Sequence, residues 1–255
     1  RLAADTTFIS KIGKDGNANF ILEDFKKAGI HTQYILTSES EETGQAFITV
    51  DEAGQNTILV YGGANMTLSA TDVEMSAEAF IGADFVVAQL EVPFEAIEQA
   101  FKIARKQNIT TVLNPAPAIE LPKSLLELTD IIIPNETEAE LLTGISINNE
   151  SDMKETATYF LELGISAVLI TLGEQGTYCA YQEQYKMIPA CNVKAVDTTA
   201  AGDTFIGAFL SELNKDLSNL ESAIRLANQA SSLTVQRKGA QASIPTRKEV
   251  EAEYN

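Results

Sequence analysis

The sequence predicts an α/β fold of three layers, in which helices cover both faces of a mainly parallel central sheet. Two observations support this prediction. From residue 67 onward, apolar strand-like runs alternate with helix-like stretches, which is the pattern of a parallel sheet covered on both faces. Residues 33–61 contain strand-like runs with no helical stretch between them, and this predicts a small antiparallel sheet that stands apart.

One strand and one helix are predicted before the small sheet. Residues 6–13 read as a strand, and Phe20, Ile21 and Phe25 then recur at helical spacing until about residue 28. Gly29 is placed to end this helix. The lone histidine, His31, matches no motif, so we expect it on the surface.

Turn residues separate the strand-like runs of the small sheet. The runs are 34–36, 45–50 and 57–61, with turns around Gly44 and at 51–54. Gly62-Gly63 leads back to the main domain, either as a flexible turn or as a close backbone approach to a substrate. We therefore divide the chain into a main domain of residues 1–32 and 62–255 and a small sheet of residues 33–61.

Strands and helices of the main domain follow from apolar periodicity. The predicted strands are 85–90, 110–114, 130–133 and 167–172, followed by a hairpin of 177–181 and 185–188. The predicted helices are 93–107, 137–143, 151–163 and 220–235.

Composition excludes several classes of function. The chain of 255 residues has a net charge of −18, which disfavours nucleic acid and anionic membranes as partners. No apolar run is long enough to span a membrane. Cys179 and Cys191 fit no metal spacing or disulfide framework and are expected to be buried as small apolar residues. A reducing cytoplasm is the expected location.

Polar residues follow the ends of the predicted strands, where α/β enzymes bind their ligands. This polar rim comprises Glu91, Asn114, Asn135, Glu136, Glu138, residues 171–176, Asp197 and Asp203.

The stretch 196–210 is the most informative part of the rim. A strand-like run at 192–196 leads through a turn of small residues into a helix, because Phe205, Ala208 and Phe209 recur at helical spacing. Asp203 or Thr204 could simply be the N-cap of this helix. Alternatively, the turn holds a phosphate at the helix N-terminus and Asp203 is a general base beside it.

Two other segments also have two interpretations, and a third has one. Asn135 and Glu138 form either a helix cap, worth about 1 kcal/mol, or part of a magnesium site. Gly173 and Gly176 bracket either an ordinary turn or a nucleotide loop. Residues 237–245 follow a long helix, where basic residues and Gly239 suit a helix C-terminus. No Walker-type phosphate loop is present in the sequence.

These motifs resemble those of the ribokinase-like (PfkB-type) carbohydrate kinases. The segments that carry the resemblance are Asp-Thr-Thr-Ala-Ala-Gly-Asp-Thr-Phe at 197–205, Leu-Asn-Pro-Ala-Pro-Ala at 113–118 and Pro-Asn-Glu-Thr-Glu-Ala-Glu at 134–140. The resemblance extends from residue 5 to residue 250, approximately, and implies the ribokinase-like fold, in which the small sheet is a lid. It implies transfer of the γ-phosphate of ATP to the 5-hydroxyl of D-ribose, with Mg²⁺ and K⁺ as cofactors.

The resemblance also implies roles for individual residues. Asp203 would be the catalytic base, beside an anion hole at Ala201 and Gly202, and Glu91 and Asp203 would contact the sugar. The implied nucleotide contacts are Asn135, Thr171, Leu172, Gly173, Glu174, Gln175, Gly176, Gly202 and Asn228. Asn135 and Glu138 would organise Mg²⁺ indirectly. The implied K⁺ ligands, several through backbone carbonyls, are Asp197, Thr199, Thr234, Arg237, Gly239 and Ser243.

The sequence departs from the family pattern at its start. Family members carry an N-terminal portion of about fifty residues before this point, and without its strand the sheet would have an open edge. We therefore expect the chain to be a fragment with little activity of its own. The implied partners are D-ribose, ATP and a second copy bound through the lid. Alternatives are a kinase of another sugar or a nucleoside, or a fragment that binds nucleotide without turnover.

Overall fold

The computed structural model describes residues 1–50 and 56–254, and the side chains of residues 48–50 and 56–58 are outside this description. The chain divides into two compact units. One comprises Asp5–Ala83 and Gln89–Asn108, and the other comprises Arg1–Ala4, Asp84–Ala88 and Ile109–Asn255. The predicted turn at 51–54 lies outside the described residues.

The first unit contains four strands and three α-helices among its described residues. These elements are β1 (Thr7–Ile12), α1 (Gly16–Lys27), β2 (His31–Thr37), β3 (Gln45–Val50), β4 (Asn56–Tyr61), α2 (Ala70–Met75) and α3 (Phe94–Lys106). Asp15 begins α1, because its side chain accepts a hydrogen bond from the backbone N–H of Ala18.

Strand β2 does not belong to the antiparallel sheet in which the sequence analysis placed it. It pairs in parallel with β1, with Ser10 opposite Ile35, whereas β3 and β4 pair antiparallel. The helix between β1 and β2 supplies the crossover that a parallel pair requires. The predicted antiparallel sheet is therefore confirmed for β3 and β4 and was wrong for β2.

The second unit is built on a six-stranded mixed sheet with the order β10-β9-β8-β7-β6-β5. Its strands are β5 (Phe85–Ala88), β6 (Thr110–Leu113), β7 (Ile131–Ile132), β8 (Ala167–Thr171), β9 (Gly176–Tyr181) and β10 (Gln184–Pro189). Strands β5 to β8 are parallel. Strands β9 and β10 extend the sheet antiparallel as the predicted hairpin, which is confirmed.

Helices cover both faces of this sheet. They are α4 (Lys123–Leu126), α5 (Glu136–Thr143), α6 (Glu150–Glu162), α7 (Ala201–Glu212), α8 (Leu220–Thr234) and α9 (Arg247–Tyr254). Ile131 and Leu169 share a buried cluster with α7 and α8. Ile132 and Val168, whose side chains point to the opposite face, are also fully buried. The predicted three-layer arrangement is confirmed.

The run 192–196 is not a strand, which corrects the sequence-based prediction. The chain instead crosses the end of α8, where the backbone N–H groups of Val196 and Asp197 both donate to the carbonyl of Val235, at 2.7 and 3.1 Å. Val196 is 56% exposed, so this short apolar run is not buried as a central strand would be. Within the described part of the chain, no helix is long and apolar enough to cross a membrane.

Candidate active site

Helix α7 begins in an unusual way, and its start excludes one of the two interpretations of Asp203. The N-cap is Ala200, in the left-handed conformation with φ 61° and ψ 13°, and no side chain caps the helix. Asp203 lies in the first turn of α7, as predicted, and is exposed to solvent. The interpretation of Asp203 or Thr204 as the N-cap was therefore wrong, and the role of Asp203 as a general base stays a prediction.

The first turn of α7 is open on its outer side. A Cβ atom built on Gly202 would meet no other atom within 4 Å. Backbone N–H groups at the start of a helix lack partners within that helix, and the helix dipole makes this end positive. An anionic ligand can therefore approach the backbone closely beside the carboxylate of Asp203.

Helix α8 fixes the first turn of α7 from the inner side. Ser231 donates its hydroxyl proton to the carbonyl of Ala201 at 3.0 Å, and Thr234 donates to the hydroxyl of Thr204 at 3.0 Å. Phe205 and Phe209 stack with 6.3 Å between ring centroids and anchor the apolar face of α7. The exposed position of Asp203 is thus set by buried neighbours.

Asn135 and Glu138 form a complete capping box at the start of α5. Oδ1 of Asn135 accepts from the Glu138 N–H at 2.9 Å, and Oε2 of Glu138 accepts from the Asn135 N–H at 2.9 Å. Nδ2 of Asn135 also donates to Oε1 of Glu138 at 2.8 Å. Burial raises the pKa of Glu138. The cap is confirmed, and the role of these residues near Mg²⁺ stays a prediction.

The ends of β6, β7 and β8 bring three predicted site residues to one edge of the sheet. Asn114 donates from Nδ2 to the carbonyl of Ile133 at 2.9 Å. Asn135 and Thr171 form an isolated parallel bridge, and the Thr171 N–H donates to the carbonyl of Pro134 at 2.9 Å. The polar rim predicted from strand ends is confirmed for these three residues.

The two glycines of the loop after β8 differ in the space that is available around an added Cβ atom. Gly176 has φ 112°, and a Cβ there would lie 2.2 Å from the carbonyl oxygen of Ile188, so its role is structural. Gly173 has φ 53° and no atom within 4 Å of an added Cβ, so a ligand can approach it. Leu172 is buried, whereas Glu174 and Gln175 are exposed beside Gly173.

Asn228 is a clamp between α8 and the β9–β10 hairpin. Its Oδ1 accepts from the hydroxyl of Thr177 at 3.0 Å, and its Nδ2 donates to the carbonyls of Ile188 and Pro189 at 3.2 Å each. The side chain is 7% exposed. These bonds occupy most of its hydrogen-bonding capacity, and its predicted position near the adenine stays a prediction.

Asp197 joins the turn before α7 to the segment after α8. Its Oδ1 accepts from the Thr199 N–H at 2.9 Å, and its Oδ2 accepts from the Gly239 N–H at 3.0 Å. Hydrogen bonds from the Gly239 backbone and from Thr199 lower the pKa of Asp197 to about 2. The carboxylate is therefore ionised at neutral pH.

The segment 234–243 contributes the other predicted cation ligands. The Arg237 N–H donates to the carbonyl of Thr234 at 3.0 Å, and the Arg237 guanidinium lies 3.5 Å from the carbonyl of Ser243. Thr234 and Ser243 are fully buried. Asp197, Thr199 and Gly239 meet directly, because the backbone N–H groups of Thr199 and Gly239 donate to the Asp197 carboxylate. The role of these residues as ligands of K⁺ stays a prediction.

Glu91 is exposed and belongs to the first compact unit.

The two cysteine thiols do not form a disulfide. Cys179 is buried, and burial raises its pKa to about 12, whereas Cys191 is only half-buried, contrary to expectation. His31 is exposed, as predicted, and bonds Asp5 at 2.8 Å. Among the residues described, no group of three or more His, Cys, Asp or Glu side chains could hold a metal ion.

Sequence reasoning missed the ion pair between Arg237 and Glu249, whose Nη2 and Oε1 atoms are 2.8 Å apart. The position of Glu249 could have been predicted in part from the sequence. Thr246-Arg-Lys-Glu249 has the spacing of a capping box before a helix, and Glu249 does accept from the Thr246 N–H at 2.7 Å.

A mixed sheet with polar strand ends, and with a carboxylate beside an open helix N-terminus, is the arrangement in which many α/β enzymes bind anionic ligands. Residues 1–247 match the family described as pfkB family carbohydrate kinase. The chain belongs to this family and is a phosphotransferase with an alcohol group as acceptor.

Known relatives are similar over nearly the whole chain. A ribokinase of Staphylococcus aureus (strain COL) is 64% identical over 250 residues, which are 98% of this chain and 82% of the relative. A bifunctional ribokinase/ribose-5-phosphate isomerase A of Fructilactobacillus sanfranciscensis is 52% identical over 98% of this chain and 46% of its own length. The structure of Arabidopsis thaliana ribokinase complexed with ribose and ATP is 32% identical, with a TM-score of 0.88 over 97% of this chain and 81% of that one. The predicted N-terminal portion, and the low activity expected without it, stay predictions.

Proposed function

We propose that this protein is an ATP-dependent kinase that transfers the γ-phosphate of ATP to the 5-hydroxyl of D-ribose and releases ADP and D-ribose 5-phosphate. The single observation that carries the proposal is the exposed carboxylate of Asp203 in the uncapped first turn of α7. The similarity to ribokinases, of which one is complexed with ribose and ATP, supports the choice of substrates.

Asp203 acts as the general base. Its carboxylate accepts the proton of the sugar hydroxyl as the hydroxyl oxygen attacks the γ-phosphorus and the bond to the β-phosphate oxygen breaks. The backbone N–H groups of Gly202 and Asp203 hold the negative charge that spreads over the phosphoryl oxygens. The Ala201 N–H donates to the carbonyl of Thr198 at 3.2 Å and would have to release it to join them. The open surface at Gly202 supports this role, since a side chain there would hinder the phosphate.

The nucleotide lies along the edge formed by Asn135 and the loop of residues 171–176. Asn135 contacts the phosphates, and the exposed backbone at Gly173 approaches the nucleotide closely. Glu138 orients Asn135 through the capping box and helps to organise the water shell of Mg²⁺. Mg²⁺ neutralises charge on the transferred phosphate when it is bound. Asn228, on α8, supports the nucleotide side by holding the β9–β10 hairpin in place.

A potassium ion would be held by oxygens from the segments 197–199 and 234–243. The ionised carboxylate of Asp197, which already joins Thr199 to Gly239, supports this assignment. Arg237, Thr234 and Ser243 would contribute oxygens of the second segment. When bound, the ion would supply positive charge beside the loop that leads into α7, and the chain's own residue Asp203 performs the proton transfer.

Asp203 contacts the sugar, and a sugar contact of Glu91 stays a prediction for its own unit. The β3–β4 hairpin is the surface through which two copies associate. Phe47 and Leu59 are paired opposite each other in the hairpin and are 53% and 70% exposed, which supports burial against a second copy. Sedimentation velocity tests the dimer. The cytoplasmic location stays a prediction.

An assay of ADP release with ATP, Mg²⁺ and D-ribose tests the function, and ³¹P NMR identifies the product. We expect ADP release to require the sugar and the new signal to be that of D-ribose 5-phosphate. Turnover with another furanose or a nucleoside, but not with ribose, would instead support a different kinase of the family. If calorimetry detects ATP binding but no sugar is phosphorylated, the chain only binds nucleotide.

A further inference from the structure

The C-terminal helix α9 is tied to the loop of residues 237–243, which we call the cation loop. Oε1 of Glu249 accepts from Nη2 of Arg237 at 2.8 Å. Oε2 of the same carboxylate accepts from the backbone N–H and the hydroxyl of Thr246, at 2.7 and 2.8 Å. Glu249 therefore caps α9 and holds the Arg237 side chain with the same carboxylate.

Two further bonds fix α9 against its surroundings. Arg247 pairs with Glu212 at the end of α7, at 2.7 Å, and the Arg247 N–H donates to the carbonyl of Arg1 at 3.2 Å. Val250 is 1% exposed in the apolar cluster that α7 and α8 share. Glu249 therefore lies on a helix, α9, that these contacts hold in place, although its own side chain is partly exposed.

Arg237 places a positive charge beside the cation loop. Its guanidinium lies 3.5 Å from the carbonyl of Ser243, a predicted ligand, and its own backbone carbonyl is another. An unpaired guanidinium there would repel a bound cation, and a mobile side chain would leave the loop less ordered. Oε1 of Glu249, at 2.8 Å from Nη2 of Arg237, places the compensating negative charge directly against this guanidinium.

From this geometry we infer that Glu249 is a positioning residue for the monovalent cation, because it neutralises Arg237 and orders the cation loop. The inference rests on the cation site of the proposed function. Surface ion pairs usually contribute little to global stability. Loss of Glu249 should therefore change the affinity for the cation more than it changes the fold.

The test compares Glu249→Gln with Glu251→Gln, which removes a carboxylate paired with Arg247 on the same helix, away from Arg237. The melting temperature of each protein is followed as KCl replaces choline chloride at constant ionic strength, without substrates. We expect the KCl concentration for half of the stabilisation to rise about fivefold in Glu249→Gln and to stay unchanged in Glu251→Gln. Hydrogen exchange of residues 237–243 should also become faster only in Glu249→Gln.

The outcomes separate this inference from the proposed function. If the unaltered protein does not respond to KCl, the cation site itself is wrong and the inference fails with it. If the unaltered protein responds, and Glu249→Gln only lowers the melting temperature equally in both salts, the cation site stands and the inference is overturned. The inference is also overturned if Glu251→Gln shifts the KCl midpoint as much as Glu249→Gln does.

Discussion

Oδ2 of Asp197 accepts a hydrogen bond from the backbone N–H of Gly239 at 3.0 Å, across 42 positions of sequence. The other oxygen of the same carboxylate holds the Thr199 N–H, two residues further along the chain. One side chain therefore links the turn that leads into α7 with the segment that follows α8. Since Thr234 also bonds Thr204, the end of α8 and the start of α7 form one connected region at this point.

Asp203→Asn should abolish most turnover and leave ATP binding intact. Asparagine has nearly the same shape but cannot accept the hydroxyl proton, and general-base catalysis contributes about 10²- to 10⁴-fold. Steady-state assays should therefore show kcat reduced by about that factor, with the calorimetric Kd for ATP unchanged. Turnover equal to that of the unaltered protein would remove Asp203 from this role.

Asp197→Asn should flatten the dependence of stability on acid pH. The pKa of Asp197 is about 2 in the folded protein against a usual 3.8, so the folded state binds the proton more weakly. The stabilisation is complete above the unfolded pKa of 3.8 and is lost as pH falls toward about 2. Urea midpoints at pH 6 and pH 3 measure the difference, which should shrink in the variant.

Glu120→Gln is the control for Asp197→Asn. Glu120 is an exposed carboxylate in the loop before α4. Its replacement should leave the difference between the two urea midpoints as it is in the unaltered protein. An equal shrinkage in both variants would mean that net charge, and not the bonds to Gly239 and Thr199, governs the acid sensitivity.

Gly176→Ala and Gly202→Ala should have opposite effects. An alanine at 176 would bring its Cβ to 2.2 Å from a backbone oxygen at φ 112°, so we expect a loss of about 3 kcal/mol or more in the free energy of unfolding. At 202 the added methyl meets nothing and lies in a helix, so stability should be unchanged or higher by at most about 1 kcal/mol. Urea unfolding measures both values.

The functional effect of Gly202→Ala should be large despite its normal stability. The new methyl would stand where the phosphate approaches the backbone, so kcat/KM should fall by about tenfold or more. Full activity in Gly202→Ala would argue against an anion hole at this turn.

Asn228→Leu should destabilise the fold and weaken nucleotide binding only as a consequence. Leucine fills a similar volume but leaves the Thr177 hydroxyl and two hairpin carbonyls without their partner. We expect a loss of about 2 to 4 kcal/mol in the free energy of unfolding. ATP titration at 10 °C, where the variant is folded, should give a nearly unchanged Kd. A large loss of affinity in a stable variant would instead indicate direct contact with the adenine.

Apolar periodicity predicted most of the elements, because helices and buried strands have distinct spacings. The strand that pairs with β2 could not be predicted from periodicity, because strand pairing depends on residues that are distant in the sequence. The run 192–196 looked like a strand, but it ends at a helix turn and finds its hydrogen-bond acceptor on Val235. Local sequence carries no information about that acceptor.

The candidate site was predictable where its chemistry depends on local motifs. The capping box of Asn135 and Glu138 and the helix start near Asp203 both follow from short spacing rules. The clamp at Asn228 and the pair of Arg237 with Glu249 join segments separated by 51 and 12 residues, respectively. Their partners become visible only when the chain is folded.

Alanine at position 200 has a consequence for the timing of catalysis. A left-handed alanine has a steric cost that a glycine would not have, of about 1 kcal/mol, yet it also has far fewer alternative conformations. A glycine at position 200 would let the turn sample several conformations between turnovers. Each arriving phosphate would then have to order the backbone amides again. With alanine, the turn at the proposed phosphate site has its backbone conformation before the substrate arrives, so its conformational entropy is lost during folding and not during the reaction.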